Sequence, residues 1–169
     1  HKLVCKDGKL LFFSKECGSN GCIGTVDVTY PSIPMFLYYK PELVEGMLNP
    51  VFDYAENDYG WKYEFSPHDV GQYPKSNGQV YGCESTDPEY ILSHQMPIEE
   101  CGNMLLCVAA ICKIKNSAEY ANQHFNILKK WADYLVNVGW NPENQLCTDD
   151  FAGHLAHNCN LSIKGILAI

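Results

Sequence analysis

The sequence contains no arginine. Its 12 basic residues are all lysines, against 20 aspartates and glutamates, and the formal net charge is −8. Proteins that bind nucleic acid depend on basic, usually arginine-rich surfaces, so we expect no nucleic-acid partner. The missing guanidinium also removes the usual bidentate clamp for a substrate carboxylate. Such a carboxylate would have to be held by a lysine, by N–H groups at a helix N-terminus, or by another domain.

Long apolar runs are also missing from the sequence. No segment approaches the length of a membrane span, so we predict no transmembrane helix. The 169 residues are 46% apolar, which is enough to bury the core of one domain.

Nine cysteines could indicate a disulfide framework, but their positions argue for thiols. Cys101, Cys107 and Cys112 fall in an apolar helical run, where cysteine behaves as a small hydrophobic residue. Cys17 and Cys22 flank a turn-rich segment and are the best candidates for a local disulfide. A zinc knuckle there would need two more ligands, which the nearby sequence lacks. We therefore expect most cysteines to be buried thiols.

The first third of the chain predicts a β-hairpin followed by two helices. Lys2–Cys5 and Lys9–Ser14 flank an Asp-Gly pair, which favours a tight hairpin turn. A glycine-rich loop follows, and a first helix is predicted with Pro31 and Pro34 near its start. A second helix is predicted to begin at Pro41, because proline is favoured at the first helical position.

The rest of the chain predicts a long loop and two longer helices. Residues 58–95 are rich in aromatic residues, glycine and proline, and we interpret them as a loop that crosses the mouth of a site. A helix over about 97–116 is apolar on nearly all sides from Met104 to Ile114, so it should be buried. The helix predicted over about 118–138 is amphipathic. Its apolar stripe comprises Ala121, Phe125, Leu128, Trp131, Ala132 and Leu135.

Four short acidic stretches stand where a helical pattern is about to begin. They contain Asp27, Asp69, the pair Glu99 and Glu100, and the pair Asp149 and Asp150. The unpaired N–H groups of a helix N-terminus stabilise an ionised carboxylate, so a fold that gathers several such ends forms an acidic pocket. Any one of these residues could instead be an ordinary N-cap. Four together favour a site.

The motifs TVDVTYPSIP, SPHDVGQYP, MPIEECGNM and TDDFAGHLAHNCNLSIKGILAI, in this order and spacing, resemble the central six-helical-hairpin domain of the glutaminase A family of fungi and bacteria. The resemblance runs from about Thr25 to Ile169. It implies a mainly α fold, a partial (α/α)6 toroid of helical hairpins, which follows the short N-terminal β-hairpin that the Asp-Gly pair predicts. Residues 1–24 would form the hairpin and its glycine-rich lead-in, and residues 25–169 the helical domain, truncated at its C-terminal end.

The same resemblance implies hydrolysis of glutamine to glutamate and ammonia, and a secreted or periplasmic location. No cofactor and no metal are expected. The expected partners are a small-molecule substrate, glutamine or a sugar, and other domains of the parent protein. A partial toroid exposes apolar helix faces, so the fragment is also expected to self-associate.

Amide hydrolysis needs a base for the attacking water, donors for the oxyanion and an acid for the departing ammonia. Carboxylates can serve as base and acid. Because adjacent helical residues point about 100° apart, one member of each acidic pair should enter the pocket and the other should cap the helix or face water. We favour Glu100 and Asp150 as catalytic, with Asp69, Asp27, Glu99 and Asp149 as further candidates. The binding candidates are His68, Trp61, Tyr73, Asn103, His154, Asn158 and Lys164.

Four alternatives remain open at this point. Cys101 lies in the first turn of a helix, but two neighbouring glutamates oppose a thiolate nucleophile there. Asp150, His154 and His157 would share one helix face and could ligate a metal, although we favour a polar pocket lining. Glycoside hydrolysis by two carboxylates among aromatic residues, and a non-catalytic carbohydrate-binding or scaffold role, are the competing functions. The aromatic residues are Trp61, Tyr63, Tyr73 and Trp140.

Overall fold

The structure, a computed structural model, describes residues 2–148 and 152–169. Within these ranges the chain is mainly helical and carries one two-stranded antiparallel sheet, as the sequence predicts. The strands are β1 (Lys2–Lys6) and β2 (Lys9–Phe13). The helices are α1 (Val26–Tyr39), α2 (Pro41–Ala55), α3 (Pro88–Ser93), α4 (Pro97–Lys115), α5 (Glu119–Gln123), α6 (Phe125–Val138) and α7 (Cys159–Ala168). None of them is long and apolar enough to cross a bilayer.

The β-hairpin forms where the Asp-Gly pair predicts it. Asp7 and Gly8 have φ values of 52° and 78°, the positive values that a two-residue hairpin turn requires. Strand β2 lies along α2, and the Asn49 side chain donates a hydrogen bond of 2.8 Å to the Leu10 carbonyl. The hairpin therefore joins the same core as the helices.

Helix α4 lies at the centre of the helical layer and packs against α1, α2, α6 and α7. Ile98, Met104 and Ile111 are completely buried along it, and each such side chain stabilises the fold by about 1.5–3 kcal/mol through removal of apolar surface from water. The predicted all-round burial from Met104 to Ile114 is wrong in detail, because Ala109 and Ile114 face solvent. The helix is buried on a broad face instead.

Helix α1 begins earlier than its prolines suggest. It starts at Val26, so Pro31 and Pro34 lie inside the helix and each removes one backbone donor. The prediction that they mark the helix start is wrong. Val26 and Ile33 are buried in the core, and this packing outweighs the local preference of proline for the first turn.

The amphipathic region predicted as one helix is broken at His124 into α5 and α6. The His124 ring stacks on Phe52 with ring centres 3.8 Å apart, and its Nδ1 lies 3.0 Å from a carboxylate oxygen of Glu56. These contacts turn the chain. Phe125, which the stripe places on the buried side, is consequently 59% exposed, whereas Trp131 is fully buried.

The long loop is ordered by its own side chains and contains the short helix α3. Trp61 and Phe65 are buried in it, and the Trp61 indole donates to the Phe65 carbonyl at 2.6 Å. The loop then joins the starts of two helices. The Val26 N–H donates to the His68 carbonyl at 2.8 Å, and the Ser66 N–H donates to the sulfur of Cys101 at 3.3 Å.

All nine cysteines lie in the described ranges, and all are free thiols. Cys101 and Cys107 are buried on α4, as the apolar pattern predicts, and Cys112 is half-buried. The local Cys17–Cys22 disulfide that the turn-rich segment suggested does not form.

Candidate functional site

Asp27 is brought to the site by the first turn of α1. Its carboxylate is buried, and its Oδ1 lies 3.7 Å from Nε2 of His68. Within the part of the chain that the structure describes, this Oδ1 has no hydrogen-bond partner. Burial raises the pKa of Asp27, and the positive potential of His68 only partly offsets it.

The loop supplies His68 and Asp69, which are both buried. Asp69 accepts hydrogen bonds from three backbone N–H groups, those of Gly71 at 2.9 Å, Val80 at 3.1 Å and Tyr81 at 3.1 Å. Asp69 also contacts His68, whose Nδ1 lies 3.0 Å from Asp69 Oδ2. No helix begins at Asp69, so its prediction as a helix-start residue is wrong.

The protonation of His68 reflects two opposing effects. Burial lowers the pKa of His68, but the hydrogen bond to Asp69 and the negative charges of Asp27 and Asp69 outweigh burial and raise the pKa. Because a carboxylate can only accept, the Nδ1–H of His68 donates to Asp69 and the ring presents Nε2 to Asp27.

Helix α4 contributes Glu99 and Glu100 from its first turn. Both are buried, at 4% and 1% exposure, so neither of the two faces water, and only the capping half of that expectation stays open. Burial, together with the charges of Asp27 and Glu99, raises the pKa of Glu100 well above its usual range. Its Oε2 accepts a hydrogen bond of 3.2 Å from the Asn103 amide, and its Oε1 has no partner among the described residues.

Lys164, on α7, lies across the site from the first turn of α4. Its ammonium pairs with Glu99, donates to the Asn103 side-chain oxygen at 2.7 Å and lies 4.6 Å from the centre of the Tyr30 ring. Gly102 makes this approach possible, because a Cβ at that position would lie 2.6 Å from Cγ of Lys164. Asn103 is fully buried and its amide already binds both glutamates, so it acts here as a bridge between acids and lysine.

A cleft of about 660 Å³ opens above these groups. It is lined by Asp27, Glu99 and Lys164 and by an apolar wall from α1, α4 and α7. Cys147 and Thr148, which directly precede Asp149 in the sequence, also line it. Asp149 and Asp150 themselves lie outside the described residues, so their assignment as catalytic stays a prediction.

Four predicted binding residues do not line this cleft. Trp61 is packed inside the loop, and Tyr73 is 54% exposed under the ammonium of Lys15 at a separate surface cleft. His154 binds the Ser93 carbonyl at 2.7 Å. Asn158 is the N-cap of α7 and accepts from the N–H groups of the first turn.

Two of the alternatives can be compared with the structure. Cys101 is completely buried, and burial raises the pKa of its thiol, which disfavours the thiolate that a nucleophile needs. His154 and His157 do not share a helix face, because residues 153–158 are not helical and His157 binds Asn141 at 2.8 Å.

Two clusters of described residues bring three potential metal ligands near one another. One consists of Asp27, His68 and Glu100, and the other of Glu16, Cys22 and His68; in each, the ligand atoms lie within 4.8 Å of one another. Sequence reasoning missed Glu16 and Cys22, as well as Tyr30. No local pattern marks them, because their role depends on where the loop brings His68.

The comparisons agree with this architecture. A family model described as the glutaminase A six helical-hairpin domain matches residues 1–169, including the β-hairpin. The chain is 43% identical to Glutaminase A of Aspergillus oryzae, over 93% of this chain and 21% of that protein. It is 29% identical to a protein of Arthroderma benhamiae named as a probable glutaminase, over 94% of this chain and 24% of that protein. No solved structure gives a significant match.

The chain thus spans between a fifth and a quarter of the length of these curated relatives. The family match extends over every element that builds the site, from α1 through the loop and α4 to α7. This chain belongs to the family of the glutaminase A six helical-hairpin domain.

Proposed function

We propose that this domain forms part of the catalytic centre of a glutaminase, which hydrolyses L-glutamine to L-glutamate and ammonia by carboxylate-assisted attack of water. One structural observation carries the proposal: the buried carboxylates of Asp27 and Glu99 line a single cleft, and the carboxyl of Glu100 is buried near enough to feel the charge of both. Family membership and the names of the two relatives support the choice of substrate. The secreted location that the family implies stays a prediction.

Asp27 is the best-placed proton carrier, because it is buried, lines the cleft and lies next to Nε2 of His68. It accepts a proton from a water whose oxygen attacks the carboxamide carbon, which gives a tetrahedral intermediate. The same proton then passes to the nitrogen, the C–N bond breaks and ammonia leaves. One water is consumed, and the carboxylate of Asp27 is restored.

His68 and Asp69 serve as positioning residues for this step. His68 Nε2 faces Asp27, and the hydrogen bond from Nδ1 to Asp69 fixes the orientation of the ring. The three backbone donors to Asp69 hold that carboxylate in turn. The loop, and not solvent, therefore fixes the position of the His68 ring next to Asp27 and the reacting water.

Glu99 and Lys164 offer opposite charges at the rim of the cleft. Glutamine carries an α-ammonium and an α-carboxylate, and in a chain without arginine Lys164 is the one basic side chain among the described residues that line the cleft. It is the group we assign to the α-carboxylate. Two of the aromatic residues that motivated the glycosidase alternative, Trp61 and Tyr73, lie away from this cleft, which favours the amino-acid substrate.

The test uses the full-length parent enzyme, since the chain is part of a longer architecture in its relatives. Asp27→Asn should lower the turnover of glutamine by about 100-fold or more, because general acid–base catalysis contributes on this scale. Asp53→Asn, which removes an exposed carboxylate on α2, is the matched control and should keep full turnover.

Ammonia release from glutamine and reducing-sugar release from a glycan panel are measured side by side, with thermal unfolding as a check on the fold. Glycan cleavage without ammonia release would replace the proposal by the glycosidase alternative. Near-normal glutamine turnover in Asp27→Asn would remove Asp27 from the mechanism.

A further inference from the structure

The side chains of Asp27, His68 and Glu100 surround a common point in the floor of the site. Their ligand atoms all lie within 4.8 Å of one another, and His68 Nε2 is 3.7 Å from Asp27 Oδ1. Oxygen and nitrogen ligands at 2.0–2.2 Å from a tetrahedral cation stand about 3.4 Å from each other. The pair of His68 Nε2 and Asp27 Oδ1 would shorten by about 0.3 Å, and a pair at the 4.8 Å limit by about 1.4 Å, for the three side chains to close around a cation.

Two oxygens of this cluster have no partner in the described part of the chain. Glu100 Oε1 and Asp27 Oδ1 are both out of contact with water and accept no hydrogen bond there. Native proteins rarely leave buried polar atoms in this state, because each unpaired carboxylate oxygen gives up its hydration without compensation. A cation between them would satisfy both.

The charge balance of the cluster points the same way. Asp27, Asp69, Glu99 and Glu100 are all buried, and the described side chains that oppose them are the ammonium of Lys164 and the imidazole of His68. Lys164 is already paired with Glu99 at the rim. The inner carboxylates thus lack a full counter-charge, and uncompensated buried charge is strongly destabilising.

His68 is also oriented as a ligand. Its Nδ1–H is directed to Asp69, so a neutral ring presents the lone pair of Nε2 to Asp27 and Glu100. A carboxylate behind a histidine is the usual arrangement in metal sites, because it fixes the tautomer and increases the basicity of the ligand. Asp69, with its three backbone donors, is suited to this role.

We propose that Asp27, His68 and Glu100 bind one divalent transition-metal cation of the Mn²⁺ or Zn²⁺ type. The imidazole argues against Mg²⁺ and Ca²⁺, which prefer oxygen ligands throughout. The cleft that Asp27 lines gives the cation a path from solvent. This site rests on the geometry of the three side chains and not on the proposed glutaminase activity.

The test is a titration of the purified, EDTA-stripped chain with Mn²⁺ at mildly alkaline pH, followed by calorimetry and by the loss of the free Mn²⁺ electron paramagnetic resonance signal. Mn²⁺ is the probe because the exposed thiols of Cys5, Cys17 and Cys159 would take up Zn²⁺. We expect one Mn²⁺ per chain and an unfolding temperature that rises with Mn²⁺ concentration.

Glu100→Gln and Asp27→Asn each remove one ligand and should weaken Mn²⁺ binding by about tenfold or more. Glu16→Gln is the matched control, because it removes a carboxylate from the neighbouring cluster of Glu16, Cys22 and His68 and should leave the affinity within about threefold. If Glu100→Gln does not fold, the Mn²⁺ affinity of Asp27→Asn is compared with that of Glu16→Gln instead.

The proposal is overturned if the wild-type chain binds no Mn²⁺, or if the ligand variants bind it as tightly as the control. A proton shared by Asp27 and Glu100 would then account for the two unpaired oxygens. The two proposals fail separately: a parent that hydrolyses glutamine but binds no Mn²⁺ ends the cation site alone, and a parent that binds Mn²⁺ without hydrolysing glutamine ends the proposed function alone.

Discussion

Replacing Asp69 by asparagine tests how the floor of the site is held, because the change keeps the shape of the side chain and removes its charge. Oδ1 of Asp69 accepts from Gly71 and Val80, and Oδ2 accepts from Tyr81 and His68. In asparagine one oxygen becomes an NH₂ group, which faces two donors. His68 can relieve one conflict by changing tautomer, and the other leaves a buried N–H unpaired, at a cost of about 1–3 kcal/mol.

The loss of the negative charge adds to this cost, because hydrogen bonds to a charged acceptor are worth about 1.5–3 kcal/mol each. We therefore expect Asp69→Asn to lower the free energy of unfolding by about 2–4 kcal/mol, measured by urea denaturation with the slope unchanged. Asp53→Asn is the control: its carboxylate is half-exposed and pairs with Lys9 at the surface, where a salt bridge contributes about 0–1 kcal/mol. A loss below about 1 kcal/mol for Asp69→Asn would refute the reasoning.

Three shorter predictions concern other parts of the fold. Gly102→Ala should push Lys164 away from Glu99 and lower the free energy of unfolding by about 1–3 kcal/mol, and an unchanged melting temperature would contradict the close packing. Burial lowers the pKa of His124, so the unfolded chain binds more protons than the folded chain. The free energy of unfolding should therefore fall as the pH drops through about 6.5. His124→Gln should weaken this pH dependence in thermal unfolding measured over a pH series. Ile166 is 63% exposed on α7, so Ile166→Lys should reduce the self-association of the chain in sedimentation velocity. A wild-type chain that is monodisperse at high concentration would contradict this prediction.

The elements that the sequence predicts correctly are those with local signals. The Asp-Gly pair defines the hairpin turn, and Pro41 and Pro97 each stand at the first position of their helix. The errors occur where a distant contact outweighs the local pattern. The stacking of His124 on Phe52 breaks an amphipathic run that is continuous in sequence.

The acidic residues of the site were predictable because carboxylates at helix starts have a physical reason to be gathered. Asp27, Glu99 and Glu100 meet in this way, from helices that are far apart in sequence. The position of Asp69 was not predictable in the same way, since its partners Val80 and Tyr81 lie 11 and 12 residues further along a loop. The rotation of about 100° between adjacent helical residues could not predict that Glu99 and Glu100 are both buried. Helix α7 packs on α4 and covers the side of the helix that would otherwise face water.

The part of the site that depends on α7 should unfold locally more easily than the part held by α1 and the loop. Helix α7 reaches the acidic residues through Lys164, and its outer face is exposed, so its opening costs fewer apolar contacts than the opening of α4. Asp27, His68 and Asp69 are held by α1 and the loop and do not depend on it. Local unfolding of α7 would therefore hydrate Glu99 while the inner carboxylates stay dry. Amide protons of α7 should exchange with solvent long before those of the first turn of α4, and the rim of the cleft would open and close on its own timescale.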